Sequence, residues 1–177
     1  DIPLRGFFYE DPNHKWMLTY EHRGHEQSPV QGLAMLCEVA SNHPDYETWI
    51  NGLKLYREYV LDSMKLTKPY GLVPGHVYVL DKLNSDRFTI PASYGTIPEG
   101  MEILRNQARS GKKLADNVYL RIFPVAVQRR GYHATLLSKT KAISMIAKVL
   151  NDEELKQIAI DQLEWVMGKN PFASSTM

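Results

Sequence analysis

Two amphipathic helical patterns in the last third of the chain constrain its fold most. The first runs from Thr135 to Leu150 and carries its apolar side chains on one face (Leu136, Ile143, Ala147, Leu150). The second is opened by Asn151-Asp-Glu-Glu154 and has the apolar stripe Leu155, Ile158, Ala159, Leu163, Val166. Acidic residues suit the positive end of a helix. Because only a few residues join the two patterns, they predict an antiparallel helix pair.

An earlier part of the chain predicts a second pair of the same kind. Ser28-Pro-Val-Gln31 is a capping box with proline at the first helical position, and the helix is expected to end near Ser41-Asn42. Another helix is expected from Asp45, with apolar residues spaced three or four apart (Tyr46, Trp49, Ile50, Leu53, Tyr56, Val60, Leu61, Met64).

The segment between the two pairs is punctuated by proline and glycine. His76–Leu80 and Arg87–Ile90 are short β-prone runs, which predict a small β-hairpin or extended insertion around 76–90. A helix is expected from Glu99 to about Arg109. The content of Val118–Phe123 favours a strand, although Pro124 requires that it lie at an edge or end there.

Both helix pairs are preceded by a similar short element. Arg23-Gly-His-Glu26 comes before the first pair, and Arg130-Gly-Tyr-His133 comes before the last pair. Repeated helix pairs are typical of helical solenoids and closed α-toroids. The sequence therefore predicts a mainly α fold built from antiparallel α-hairpins.

Bulk properties exclude several classes of protein. A chain of 177 residues with 44% hydrophobic content fits one globular domain. Its net charge of +1, with both signs well mixed, argues against a nucleic-acid partner. No apolar stretch approaches the ~20 residues of a membrane span. The single cysteine, Cys37, lies in an apolar helical pattern and is expected in the core.

The last 48 residues, 130–177, resemble a known family. Arg130-Gly-Tyr-His133, the helix pair after it and Gly168-Lys-Asn-Pro171 are similar to the penultimate hairpin of family 9 glycoside hydrolases, or of a close six-hairpin relative. Lys169 stands where arginine is more usual, and Tyr132-His133 stands where Ser-Asn is more usual. The stretch Gly24–Met64 resembles an earlier inner and outer helix pair. The resemblance implies part of an (α/α)6 toroid, a carbohydrate substrate, no cofactor, and a secreted or periplasmic location.

The residues that would carry the family's catalysis have no counterpart in this sequence. The family's Asp-Ala-Gly-Asp motif is absent, and its acid glutamate and sugar-holding histidine-arginine element would follow Met177. No catalytic residue is therefore assigned. Residues 1–177 are expected to form a single partial toroid domain, with the remainder of a longer chain as its partner.

Substrate contacts are expected at the loops that enter the two inner helices. The candidates are His22, Arg23, His25, Arg130, Tyr132 and His133, because imidazole, guanidinium and helix N-termini suit hydroxyl or carboxylate recognition. Two guanidinium groups facing one cavity would favour an acidic sugar such as a uronic acid. Ordinary loop structure is the alternative. No metal site is expected, since His22 and His25 lack a third ligand at a known spacing.

Other residue types offer weaker candidates. Glu21, Glu26 and Glu99 lie at loop–helix junctions, where an acid either faces a cleft or caps a helix. Several aromatic residues could stack on sugar rings (Phe7, Phe8, Tyr9, Trp16, Tyr20, Tyr78, Tyr94), whereas Trp49 and Trp165 have the helical spacing of core residues.

Three functions remain open from the sequence. A glycoside hydrolase comes first, working through paired carboxylates. A polysaccharide lyase on a related toroid would use tyrosine or histidine as its base. A non-catalytic helical scaffold or glycan-binding piece would need no base at all.

Overall fold

The computed structural model describes residues 4–6, 12–13, 27–83, 92–123 and 132–175. These ranges contain five α-helices: α1 (Gln27–Val39), α2 (Tyr46–Met64), α3 (Ile97–Arg109), α4 (Tyr132–Leu150) and α5 (Glu153–Met167). They also contain three short strands: β1 (His76–Val79), β2 (Lys112–Ala115) and β3 (Val118–Arg121). The mainly α fold class is confirmed.

The two predicted helix pairs are present. Helices α4 and α5 pack together and are joined by two residues, and α1 and α2 pack together across a turn at 40–45. Asp152 is the N-cap of α5, as predicted, and its carboxylate accepts a hydrogen bond from the backbone N–H of Leu155 at 3.0 Å. The predicted cap at Ser28 is wrong, because α1 already begins at Gln27 and Ser28 is its second residue. Helix α1 ends at Val39, slightly before the predicted Ser41-Asn42.

Helices α1 and α4 are parallel neighbours. Near their N-terminal ends, Gln31 Nε2 donates to the backbone oxygen of Ser138 at 3.4 Å. Near their C-terminal ends, Lys148 Nζ lies 3.2 Å from Glu38 Oε1. The second contact is nearer the C-terminus than the first in both helices, so the helices run in the same direction. The first turns of α1 and α4 therefore lie at the same end of the helical layer, which is the layer that the packed helices form.

The sheet is small and antiparallel, with the order β1-β3-β2. His76 pairs with Arg121 and Val79 with Val118, while β2 and β3 form a hairpin around Asp116-Asn117. The described partner of β1 is thus β3. The chain leaves β1 in a 3-10 turn at Leu80–Lys82, and the predicted run Arg87–Ile90 lies outside the described residues.

The segment 71–75 crosses the helices without regular structure, and two buried side chains hold it. Gln162 of α5 accepts from the backbone N–H of Val73 at 2.9 Å and donates to the backbone oxygen of Gly71 at 3.1 Å. Lys139 of α4 donates to the backbone oxygens of Pro74 and Gly75 at 2.7 and 2.9 Å. These bonds satisfy backbone groups that burial would otherwise leave without partners.

The main core lies between the two helix pairs and the inner side of the sheet. It includes buried residues of α1, α2, α4 and α5 (Val30, Ala34, Leu53, Tyr56, Ile143, Leu155). Cys37 is buried there, as predicted, and burial raises the pKa of its thiol. Leu163, predicted to lie in the stripe of α5, is exposed, and Gln162 is buried in its place because it holds the segment 71–75. No helix of the described ranges is long and apolar enough to cross a membrane.

Candidate functional site at the start of helix α4

The structure describes two of the six residues predicted to contact a substrate. Tyr132 and His133 are the first two residues of α4, and both are partly buried. His22, Arg23, His25 and Arg130 lie outside the described residues. The parallel arrangement of α1 and α4 does place the chain positions that follow the two Arg-Gly elements at one end of the layer.

Tyr132 and His133 belong to a cluster of rings that the sequence did not predict. The Tyr132 ring lies 5.2 Å from Phe123 and 6.2 Å from Trp165 between centroids, both edge-on. His133 lies 6.2 Å from Trp165, and Tyr70 lies 6.0 Å from Phe123. We call these five residues the aromatic cluster. It unites the end of β3, the start of α4, the last turn of α5 and the loop after α2.

Two polar atoms of the aromatic cluster are buried without a hydrogen-bond partner among the residues that the structure describes. They are the hydroxyl of Tyr132 and the indole Nε1 of Trp165. Buried polar atoms are nearly always hydrogen-bonded in folded proteins, so two exceptions in one cluster require an explanation. Desolvation raises the pKa of the Tyr132 phenol well above its ordinary value, which keeps the hydroxyl protonated as a donor.

A second polar group lies deeper, where α4 meets β1. Lys139 is 1% exposed and His76 is 3% exposed. Burial lowers the pKa of His76 well below its ordinary value, and the positive charges of Lys139 and Arg121 lower it further. His76 is therefore neutral at physiological pH. Its burial removes it from contact with a large substrate.

Gln27, at the start of α1, is another buried polar residue. Its side chain is fully buried, and neither its Oε1 nor its Nε2 has a hydrogen-bond partner within the described ranges. Gln27 precedes Gln31 by one helical turn and shares the side of α1 that contacts α4. Among the described residues, buried polar atoms without a hydrogen-bond partner thus occur in the first turn of each of these two parallel helices.

The other candidates have structural roles where the structure describes them. Glu99 forms a capping box with Thr96 at the start of α3, and its carboxylate accepts from the Thr96 backbone N–H at 2.7 Å. This bond lowers the pKa of Glu99. Glu21 and Glu26 lie outside the described residues. Tyr78 is buried, so its prediction as a stacking residue is wrong.

The described ranges contain no group of three or more His, Cys, Asp or Glu side chains placed to hold a metal ion.

Two signals in the sequence point to the parts of the site that were missed. Lys139 occupies a position between Leu136 and Ile143 on the buried face of α4, where a lysine requires a specific partner. Tyr70 and Phe123 are aromatic residues beside Pro69, Gly71 and Pro124, and neither is among the predicted substrate contacts. Neither signal shows that the two rings meet, because that contact depends on the pairing of β1 with β3.

No family model, curated protein or solved structure matches this chain. The resemblance to family 9 glycoside hydrolases therefore remains a hypothesis based on residues 130–177.

Proposed function

We propose that this chain is a carbohydrate-active protein, first of all a glycoside hydrolase, whose helix pairs are sectors of an (α/α)6 toroid. The observation that carries the proposal is the parallel packing of α1 and α4. In a toroid of α-hairpins, successive inner helices run parallel and open at the same mouth. Helices α1 and α4 have this relation, with α2 and α5 as their outer partners.

The surface of α1 supports the toroid. Met35, Leu36 and Val39 form an exposed apolar stripe on the side away from the core residues Val30, Ala34 and Cys37. A helix that is apolar on nearly every side is usually covered on every side. An inner helix of a toroid has this requirement, because further hairpins pack against both of its flanks.

The aromatic cluster supports a carbohydrate substrate. It lies at the N-terminal end of an inner helix, where the resemblance places substrate contacts, and it includes Tyr132 and His133. The partly exposed imidazole of His133 matches a ligand that is rich in hydroxyl groups. The lyase alternative has less support at this position, because the raised pKa of Tyr132 disfavours the phenolate that would act as a base. A secreted or periplasmic location is part of the same proposal.

A substrate screen tests this proposal. The protein, in the form that its gene encodes, is incubated with neutral and acidic polysaccharides while new reducing ends and unsaturated products are measured separately. We expect reducing ends without unsaturation. Unsaturated products would show that the protein is a polysaccharide lyase and not a glycoside hydrolase. Binding without any product would indicate a non-catalytic glycan-binding scaffold. If no polysaccharide is bound or cleaved, the proposal is wrong.

Variants of the start of α4 link the activity to the site. His133→Ala is expected to weaken glycan binding at least threefold, since it removes a hydrogen-bonding group. His43→Ala is the matched control, because His43 is an exposed histidine that stacks on Trp49 in the turn between α1 and α2. Equal loss in the control would show that the effect is not specific to the site.

A further inference from the structure

Two rings of the aromatic cluster are unusually exposed for their size. Tyr70 is 45% exposed and Phe123 is 38% exposed, and they meet edge to face at 6.0 Å. Exposed aromatic side chains are more often found singly on a protein surface. Here Phe123 contacts both Tyr70 and a third ring, Tyr132.

The exposed rings are held firmly from below. Phe123 packs against Tyr132, which packs against Trp165 of α5. Its backbone oxygen accepts from Arg121 Nε at 3.3 Å. Tyr70 is followed directly by Gly71, whose positive φ of 64° turns the chain and whose oxygen is bonded by Gln162. The rings are therefore fixed in place before any ligand arrives, which reduces the entropy lost on binding.

The chemistry of the cluster favours a sugar ring over an apolar peptide. The exposed aliphatic residues of α1 lie elsewhere, whereas this surface is formed by the aromatic rings of Tyr70 and Phe123, and Tyr70 adds a phenol hydroxyl. One face of a pyranose with equatorial hydroxyls presents only C–H groups, which suit the negative face of an aromatic ring. Its rim of hydroxyls suits the imidazole of His133, which is partly exposed at the start of α4.

Among the described residues, the positive charges near the rings are already engaged within the protein and do not select an acidic sugar. Arg121, two residues before Phe123, already donates to the oxygen of Phe123 and makes a short hydrogen bond to the Ser110 hydroxyl. Lys139 donates to two backbone oxygens. Contact with the flat face of the sugar is thus the main contribution at this position, and it is available to neutral and uronic-acid pyranoses alike.

We propose that Tyr70 and Phe123 form a stacking subsite for a pyranose ring of a glycan chain, supported by Tyr132 and Trp165. This inference rests on the proposed function, because it names the surface that the carbohydrate contacts. The subsite binds and positions the glycan and takes no part in bond cleavage.

Calorimetric titration with two glycan hexamers tests the subsite. The probes are a neutral β-1,4-linked glucose hexamer and a hexamer of α-1,4-linked galacturonic acid. Tyr70→Leu and Phe123→Leu keep an apolar side chain and remove the aromatic face. Each is expected to weaken binding of the better hexamer roughly three- to tenfold. Tyr46→Ala is the control, since Tyr46 is a partly exposed aromatic residue at the opposite end of the helical layer.

The outcomes separate the subsite from the wider function. Circular dichroism and the melting temperature establish that each variant is folded. Trp165→Phe is a further variant that changes the side chain less, because it keeps an aromatic ring against Tyr132. The double variant carries Tyr70→Leu and Phe123→Leu together. If it binds within twofold of the wild type, or if neither hexamer binds the wild type, the subsite is wrong. If products form at an unchanged KM in the double variant, the subsite fails while the proposed function stands. If binding is lost as expected but no product ever forms, the subsite stands and hydrolysis fails.

Discussion

The residue with the clearest link between its burial and stability is His76. It is enclosed where β1 meets α4, and desolvation, followed by the charges of Lys139 and Arg121, lowers its pKa well below 6.5. Between that lowered pKa and 6.5, the unfolded chain binds a proton that the native state does not. The free energy of unfolding therefore rises with pH through this window, and the contribution of His76 is fully present above 6.5.

We predict that His76→Gln removes part of the pH dependence of stability. From about pH 7.5 to about pH 5.5, the wild type is expected to lose about 1 kcal/mol more of its unfolding free energy than the variant. Urea unfolding at the two pH values measures this difference, whatever the absolute stability of the variant. Equal slopes for the two proteins would contradict the assignment of a depressed pKa to His76. His43→Gln, at an exposed histidine, is the control.

Single residues also show where reasoning from sequence reaches its limit. The apolar stripe of α5 is correct at Leu155, Ile158 and Val166, but it fails at Leu163 and Gln162. Periodicity assigns the buried face from hydrophobicity alone. Gln162 is buried because the segment 71–75 crosses α5 there and needs a donor and an acceptor. That requirement arises from a segment about 90 residues away, and local periodicity does not contain it.

At the start of α5, the side chain of Asp152 both caps the helix and bonds to helix α2. Asp152 accepts from the backbone N–H of Leu155 and makes a short hydrogen bond with Arg57 Nε of α2. Arg57 also reaches Glu154 at 3.0 Å. Burial alone would raise the pKa of Asp152, but the bonds from Arg57 and Leu155 outweigh it and lower the pKa below 3.8. Asp152 thus caps one helix and ties it to another.

We predict that Asp152→Ala lowers the unfolding free energy by about 2 kcal/mol, since it removes both the cap and the ion pair. Asp152→Asn keeps a capping oxygen and is expected to lose about half as much. A double-mutant cycle with Arg57→Ala should give a coupling energy of about 1 kcal/mol that weakens as the pH falls below 3.8. Additive losses in the cycle would show that the two side chains act independently.

The sequence predicts the helices and strands more completely than it predicts which strands pair. All five helices of the described residues are predicted, and the signals that mark them include the N-cap Asp152 and Gly168 with its φ of 125°. Strand β2 is missed, since Lys112–Ala115 has little β-branched content and lies at an exposed edge. The turn at Asp116-Asn117, where Asn117 adopts a φ of 57°, was its one available signal. The pairing of β1 with β3 joins residues about 40 positions apart, and no local pattern specifies it.

At the scale of the whole molecule, one relation connects the fold to the proposed function. Because α1 and α4 are parallel, their first turns lie at the same end, where α4 carries the aromatic cluster. If the helices were antiparallel, their first turns would lie at opposite ends and the proposed site would be divided. The orientation of these two helices is therefore the feature on which the toroid and the site both depend.

Cross-linking between engineered cysteines tests this orientation directly. We predict that Glu38→Cys and Lys148→Cys, introduced together in a Cys37→Ala background, are joined efficiently by a bismaleimide that spans about 10 Å, because the native side chains meet at 3.2 Å. The comparison pair is Glu38→Cys with Ala134→Cys, since Ala134 is also exposed on α4. It lies about 21 Å from position 148 along the axis, at roughly 1.5 Å per residue.

Mass spectrometry of the digested products distinguishes the two arrangements. Parallel helices give the 38–148 linkage and little or no 38–134 linkage, and the reverse result requires antiparallel helices. The tested positions form a partly exposed ion pair, so their replacement is expected to change the unfolding free energy by less than about 1 kcal/mol. A dominant 38–134 product in a folded variant would separate the two Arg-Gly elements and remove the basis for a shared carbohydrate site at the starts of α1 and α4.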